Sequence, residues 1–229
     1  MPTHFNARLR ACCCFLLIPL AAPQLAQAAG GHHSVDDADI LPAGACEQEN
    51  WASRAQGGAR LLHVGAACRL GPVQLGAAAE YARHQGASAT AWGLEVKWAH
   101  AVTDSLSLGL VAQPVWQAHL RPRYQGVSAV ALASWRPREN LAFHANAGRD
   151  FVNGGDDEKR GGVAAEWMAA QDWWLTVERY REQATHFTRA GVRWLAAKNW
   201  SVDVSRAHRL AGPAPSNWTI GLSFTFGGD

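Results

Sequence analysis

The chain has 229 residues, 48% of them hydrophobic and eleven of them tryptophan, with 21 Lys+Arg against 19 Asp+Glu. A balance this close to neutral excludes a nucleic-acid binder, which needs a basic surface to hold a phosphate backbone. The length suits one large domain or one barrel, and no linker, low-complexity tract or shift in composition divides it.

The first element is an export segment. Met1–Ala28 carries Arg8 and Arg10, then the apolar run "ACCCFLLIPLAA", then small residues at Ala26 and Ala28. That is the layout of a cleaved secretory signal peptide, and its apolar core is too short to remain as an anchor. Cys12, Cys13 and Cys14 stand at the front of this core, whereas a lipid-modified cysteine would stand at its end. The mature chain is expected to begin at Ala29. Losing Arg8 and Arg10 takes the 21 basic residues to 19, level with the 19 acids. Two cysteines remain, Cys46 and Cys68, and a single pair in an exported chain usually forms a disulfide.

Residues 29–45 read as a periplasmic lead-in. His32 and His33, with Asp36 and Asp37 close by, are candidate metal ligands. A chain starting at Gly30 would present Gly30-Gly31-His32, which can wrap Cu(II) with its amine, two amides and the imidazole. Cleavage after Ala28 fits the small-residue rule better and shifts the histidine by one place.

From Cys46 onward, apolar residues alternate with small or polar ones, a period of two that marks β-strands. Twelve runs follow, at 46–56, 60–69, 72–83, 88–100, 105–117, 125–136, 140–149, 161–171, 173–182, 186–196, 199–207 and 217–226. In the last, Trp218, Ile220, Leu222, Phe224 and Phe226 face one way, and Thr219, Gly221, Ser223 and Thr225 the other. Tight turns such as "RLGP" and "AKN" alternate with looser connections such as "DFVNGGDDEKRG" and "HRLAGPAPS". An even strand count with short turns at one end and longer loops at the other predicts an all-β fold, a transmembrane antiparallel up-and-down β-barrel over 46–229. A soluble sandwich is the competing architecture. Against it, the runs exceed the usual soluble strand, and Trp98, Trp135, Trp173, Trp194 and Trp200 gather beside the tight turns like an interfacial belt. Export then places the barrel in a bacterial outer membrane, with its tight turns in the periplasm and with membrane lipids and lipopolysaccharide around it.

Parity assigns side chains to the two faces. A hairpin around Gly57-Gly58 sets Cys46 opposite position 68 or 69, so a disulfide at the periplasmic rim is expected. His63, Glu80, Glu95, Lys97, His144, Asn146, Glu166, Glu178, Arg189, Arg193 and Asp203 fall on the face of the small residues. Near mid-membrane a charge facing lipid costs a few kcal/mol, so these are candidate lumen-lining residues. They form either a network that rigidifies a closed barrel or a polar path for a small-molecule solute. Their mixed sign argues against a strongly selective pore.

A lipid hydrolase is the enzymatic alternative. It would need a serine beside a histidine with a third group orienting the ring. His144 with Asn146, or His119, beside Ser128 or Ser134 are the candidates, and no G-x-S-x-G motif accompanies them.

Finally, "VDDADILPAGACEQE" (Val35 to Glu49) has a D-D-A, a spacer, a glycine and an acidic first strand. It resembles the mature N-terminus of outer-membrane proteins of the MetA-pathway of phenol degradation type. The resemblance implies a channel or transporter for small aromatic or hydrophobic solutes, with no enzyme activity and no cofactor. The competing readings are a barrel enzyme acting on lipids and a closed structural barrel with an N-terminal metal site.

Overall fold

The computed structural model describes residues 32–228, and the export segment 1–28 lies outside the described residues. Six strands open the fold: β1 (Ala45–Ala55), β2 (Arg60–Leu70), β3 (Val73–His84), β4 (Ala87–Ala101), β5 (Leu106–Gln117) and β6 (Tyr124–Arg138). Six more complete it: β7 (Leu141–Val152), β8 (Glu158–Ala170), β9 (Trp173–Glu182), β10 (Thr185–Ala197), β11 (Trp200–Ala211) and β12 (Asn217–Gly227). Each pairs antiparallel with its sequence neighbours, and β1 pairs with β12 from Ala45↔Gly227 to Ala55↔Asn217. The sheet therefore closes into the twelve-stranded antiparallel barrel that the alternation predicts, and closure leaves no edge strand.

The faces are inverted relative to a soluble protein. Trp218 and Ile220 are 54% and 56% exposed, whereas Glu178 and Asp203 are 1% and 2% exposed. Water-soluble domains bury the first kind of residue and expose the second, so the solvent of the outer wall is hydrocarbon. At the turn end the wall carries Trp98, Trp135, Trp173, Trp194 and Trp200, all exposed. Trp173 stacks on Trp194 with centroids 5.9 Å apart. This belt suits the bilayer interface, where an indole keeps an apolar face and a polar edge in contact with both media.

Cys46 and Cys68 face each other across β1 and β2 with Cα atoms 4.0 Å apart and form a disulfide. In register with Phe226, the bridge sits on the outer wall beside the tight turns.

Two expectations change. The segment "DFVNGGDDEKRG" is largely strand: β7 runs to Val152 and β8 starts at Glu158, so the connection is 153–157. Likewise β11 continues to Ala211, leaving 212–216 as the link to β12. These strand ends look like loops because their outer positions turn from apolar to basic, as at Arg149 and Lys159. The second change is larger. Residues 32–44 do not lead away from the barrel but fold back into its interior, where Val35 and Ala38 are buried. Val35 packs with Ala164, Tyr180, Phe187 and Ala207, and Ala38 packs with Val111, Val130 and Leu132. A stretch rich in Asp and His reads as solvated, yet here the wall supplies its partners.

Candidate functional site

The interior holds one continuous arrangement, segment 32–44 against the inner faces of β3–β12. Its path is set residue by residue. His32 Nε2 is 2.7 Å from Ser205 Oγ, and Arg189 donates to the His32 carbonyl. His33 Nδ1 lies 3.4 Å from Glu178, whose other oxygen accepts the Val35 N–H at 3.0 Å. Arg189 also approaches Glu178 at 3.5 Å and stacks over Tyr180. Lys97 Nζ holds both Asp36 and Asp37, at 2.9 and 3.0 Å. With its amide turned to satisfy both partners, Asn146 donates to the Asp36 carbonyl and accepts the Asp36 N–H. Ala38 N–H donates to Ser134 Oγ at 2.7 Å, Asp39 pairs with Arg136, and Leu41 N–H donates to Gln74.

Backbone groups of an irregular segment must find partners when buried, and here side chains of the wall provide them. Room is provided as well. A Cβ on Gly221 would sit 3.2 Å from His32 Nδ1, and one on Gly191 would sit 3.3 Å from His33 Cε1. These two glycines let the histidine rings, stacked at 4.7 Å, lie directly on the wall.

Behind the segment the wall pairs its own charges. Arg193 bonds Asp203 at 2.6 Å, and Glu166 accepts from Thr176 with His144 Nε2 at 3.6 Å. A buried charge deprived of its partner costs several kcal/mol. Removing Lys97 would therefore leave Asp36 and Asp37 without their cation and loosen the segment from the wall.

The opposite side differs. Glu47, Glu49 and Trp51 of β1, His63 of β2, Glu80 of β3 and Glu95 of β4 point inward but stay half-buried. His63 Nδ1 meets Glu80 at 3.1 Å and stacks on Trp51 at 4.5 Å. Glu95 accepts from Gln74 and Gln113, and Glu47 from Thr225. Among the described residues, no cation lies within ion-pair distance of Glu47, Glu49 or Glu95. This wall is wet and acidic.

The eleven residues that parity assigned to the small-residue face divide between these two regions. Lys97, His144, Asn146, Glu166, Glu178, Arg189, Arg193 and Asp203 are buried beside or beneath the segment, while His63, Glu80 and Glu95 line the wet wall. The anchoring roles of Asp36, Asp37 and Asp39 were not legible. One signal pointed to them: Lys97 has an acid of its own parity two residues away, Glu95, but no facing acid across β3 or β5.

For a metal the segment has no completed donor set. No group of three His, Cys, Asp or Glu side chains is placed to hold one among the described residues. Burial, with His33, Arg189 and Arg193 adding to it, pushes His32 down to about 2, so the ring is neutral and its Nε2 is engaged by Ser205. Ser134 Oγ and His144 Nδ1 do meet, at 2.7 Å, with Glu166 beyond the ring. This resembles a nucleophile and its base, but it faces the lumen under Ala38, where a lipid in the bilayer does not reach it.

The chain belongs to the family Uncharacterised conserved protein UCP029691, which matches residues 17–226. No curated protein matches the sequence. Among solved structures, the barrel is similar to the KdgM porin in complex with disordered oligogalacturonate. The TM-score is 0.60 at 9% identity, covering 79% of this chain and 99% of that one. It is also similar to the NanC porin (0.58, 10%, 77% and 98%). A third is the Ralstonia pickettii toluene transporter TbuX (0.53, 12%, 82% and 90%). At such identities the likeness is one of fold. The matching family is not the phenol-degradation type that Val35 to Glu49 resembles. In this barrel the D-D-A of that stretch has a structural task, since Asp36 and Asp37 bind Lys97 and Ala38 bonds Ser134.

Proposed function

We propose that this member of the family is an outer-membrane channel for small hydrophilic solutes, with a preference for cations. Its path runs between segment 32–44 and the wall of β1–β4. The observation that carries this reading is the contrast in hydration. Glu47, Glu49, His63, Glu80 and Glu95 remain water-accessible inside a barrel whose opposite wall is sealed. Of these, Glu47, Glu49 and Glu95 have no cation at ion-pair distance among the described residues and make a negative patch on one wall, which favours cation entry. A barrel packed for rigidity alone would pair these groups as it pairs Arg193 with Asp203.

An aromatic or hydrophobic solute finds less support. Trp174, Tyr180 and Phe187 are buried, leaving Trp51 as the half-exposed aromatic side chain on the interior of β1. A lipid hydrolase finds little, because Ser134 and His144 face away from the bilayer. Planar-bilayer recording tests the proposal. Wild-type protein under a KCl gradient is expected to give small conductance steps with a cation-selective reversal potential. A chain that conducts neither intact nor without residues 32–44 would sink it.

A further inference from the structure

Charge on this barrel is sorted by face. Among the described residues no strand carries an acid on its outer face, while arginines gather there toward the loop end. Five strands bring them into one row. Arg206 of β11 stands opposite Trp218 of β12, Trp218 opposite Arg54 of β1, Arg54 opposite Arg60 of β2, and Arg60 opposite Arg83 of β3. Arg206 lies over the Trp218 ring, 5.2 Å from its centroid. Among the described residues no carboxylate pairs with any of these arginines. Like charges directly opposite one another in a sheet are destabilising, so three adjacent arginines await an anion.

Two residues nearer the turns the same strands present Val204, Ile220, Ala52, Leu62 and Tyr81. Ala52 is small between Ile220 and Leu62, which makes β1 the floor of an outward-facing trough of about 540 Å³. The trough has an apolar floor at membrane depth and a cationic head where lipid headgroups lie. Guanidinium groups match phosphate oxygens bidentately. A second copy of this chain is a poor occupant, because its own outer wall is basic at the same height.

We propose that this trough binds a phosphorylated glycolipid of the outer leaflet. Its phosphate is held by Arg54, Arg60 and Arg83, and an acyl chain lies along Ala52 between Leu62 and Ile220. The inference rests on the membrane placement in the proposed function, not on conduction.

The test uses the folded barrel in detergent with bisphosphorylated lipid A, read by native mass spectrometry and by tryptophan fluorescence. Wild-type protein is expected to bind it. Removing the phosphates from lipid A, or combining Arg54→Gln, Arg60→Gln and Arg83→Gln, weakens binding about tenfold or more. Ala52→Phe fills the floor and also weakens it. The pair Arg149→Gln and Lys159→Gln, elsewhere on the outer wall, leaves it unchanged. Equal affinity of the triple variant and wild type overturns the proposal. So does an equal loss from the Arg149/Lys159 variant, which would mean diffuse charge, or a dimer that the triple variant abolishes. Heat-modifiable migration verifies that each variant is folded. If the triple variant does not fold, dephosphorylated lipid A and Ala52→Phe decide the matter. Protein that binds lipid A yet conducts nothing breaks the channel reading alone.

Discussion

The two sides of the interior teach opposite lessons about buried charge. Against β6–β11 the charges are dry, paired and attached to segment 32–44. Along β1–β4, apart from Lys97 beneath the segment, they are wet, mostly acidic and only lightly bonded, by amides, a hydroxyl and His63. The same residue types rigidify one wall and leave the other available to solute. What separates them is whether a second piece of chain lies on top.

Removing that piece is the largest perturbation. Deleting residues 32–44 while keeping the export segment is expected to raise single-channel conductance several-fold, because the strands close through their own hydrogen bonds and do not need the segment. An unchanged conductance would mean that the segment does not limit the path. Next is Lys97→Met, which leaves Asp36 and Asp37 without their cation. A loss of roughly 3–5 kcal/mol in segment docking is expected, read as faster protease cleavage within 32–44. Adding Asp36→Asn and Asp37→Asn should restore much of it, since removing both sides of a buried pair costs far less than removing one.

A smaller effect is expected from Gly221→Val, whose side chain meets His32 on the wall. Crowding of this kind costs about 1–3 kcal/mol, and the same protease assay reads it. On the wet wall, Glu49→Gln with Glu95→Gln should leave protease resistance alone and move the reversal potential toward zero. A shift in resistance instead would show that both walls hold the segment. Smallest of all, Cys46→Ser with Cys68→Ser should leave conductance unchanged, because β1 and β2 stay paired from Cys46↔Cys68 to Arg54↔Arg60.

Much of the fold was legible. Period-two alternation with Trp218, Ile220, Leu222 and Phe226 on one face defines strands whether the solvent is water or lipid, and the tryptophans beside the turns decided between those media. The ends of β7, β8 and β11 were harder, because an outer face that leaves the bilayer becomes basic and no longer alternates in hydropathy. The site was legible in part. Parity assigned Lys97, Glu178 and Arg193 to the interior, since a lipid-facing charge there is too costly. It said nothing about what they meet. The neutral balance of the mature chain likewise hid the sorting of acids inward and arginines outward.

The sequence by itself determined strand number, closure, the facing of each residue and the partner of Cys46, because each follows from local periodicity and chain order. Only the tertiary structure decided that 32–44 lies inside, with Val35 at Glu178 and Ala38 at Ser134, contacts that span 143 and 96 residues. It alone also brought Trp218 of the last strand beside Arg54 of the first. Such meetings depend on register between distant strands and on the volume left inside a closed sheet, and no local pattern of residues encodes either.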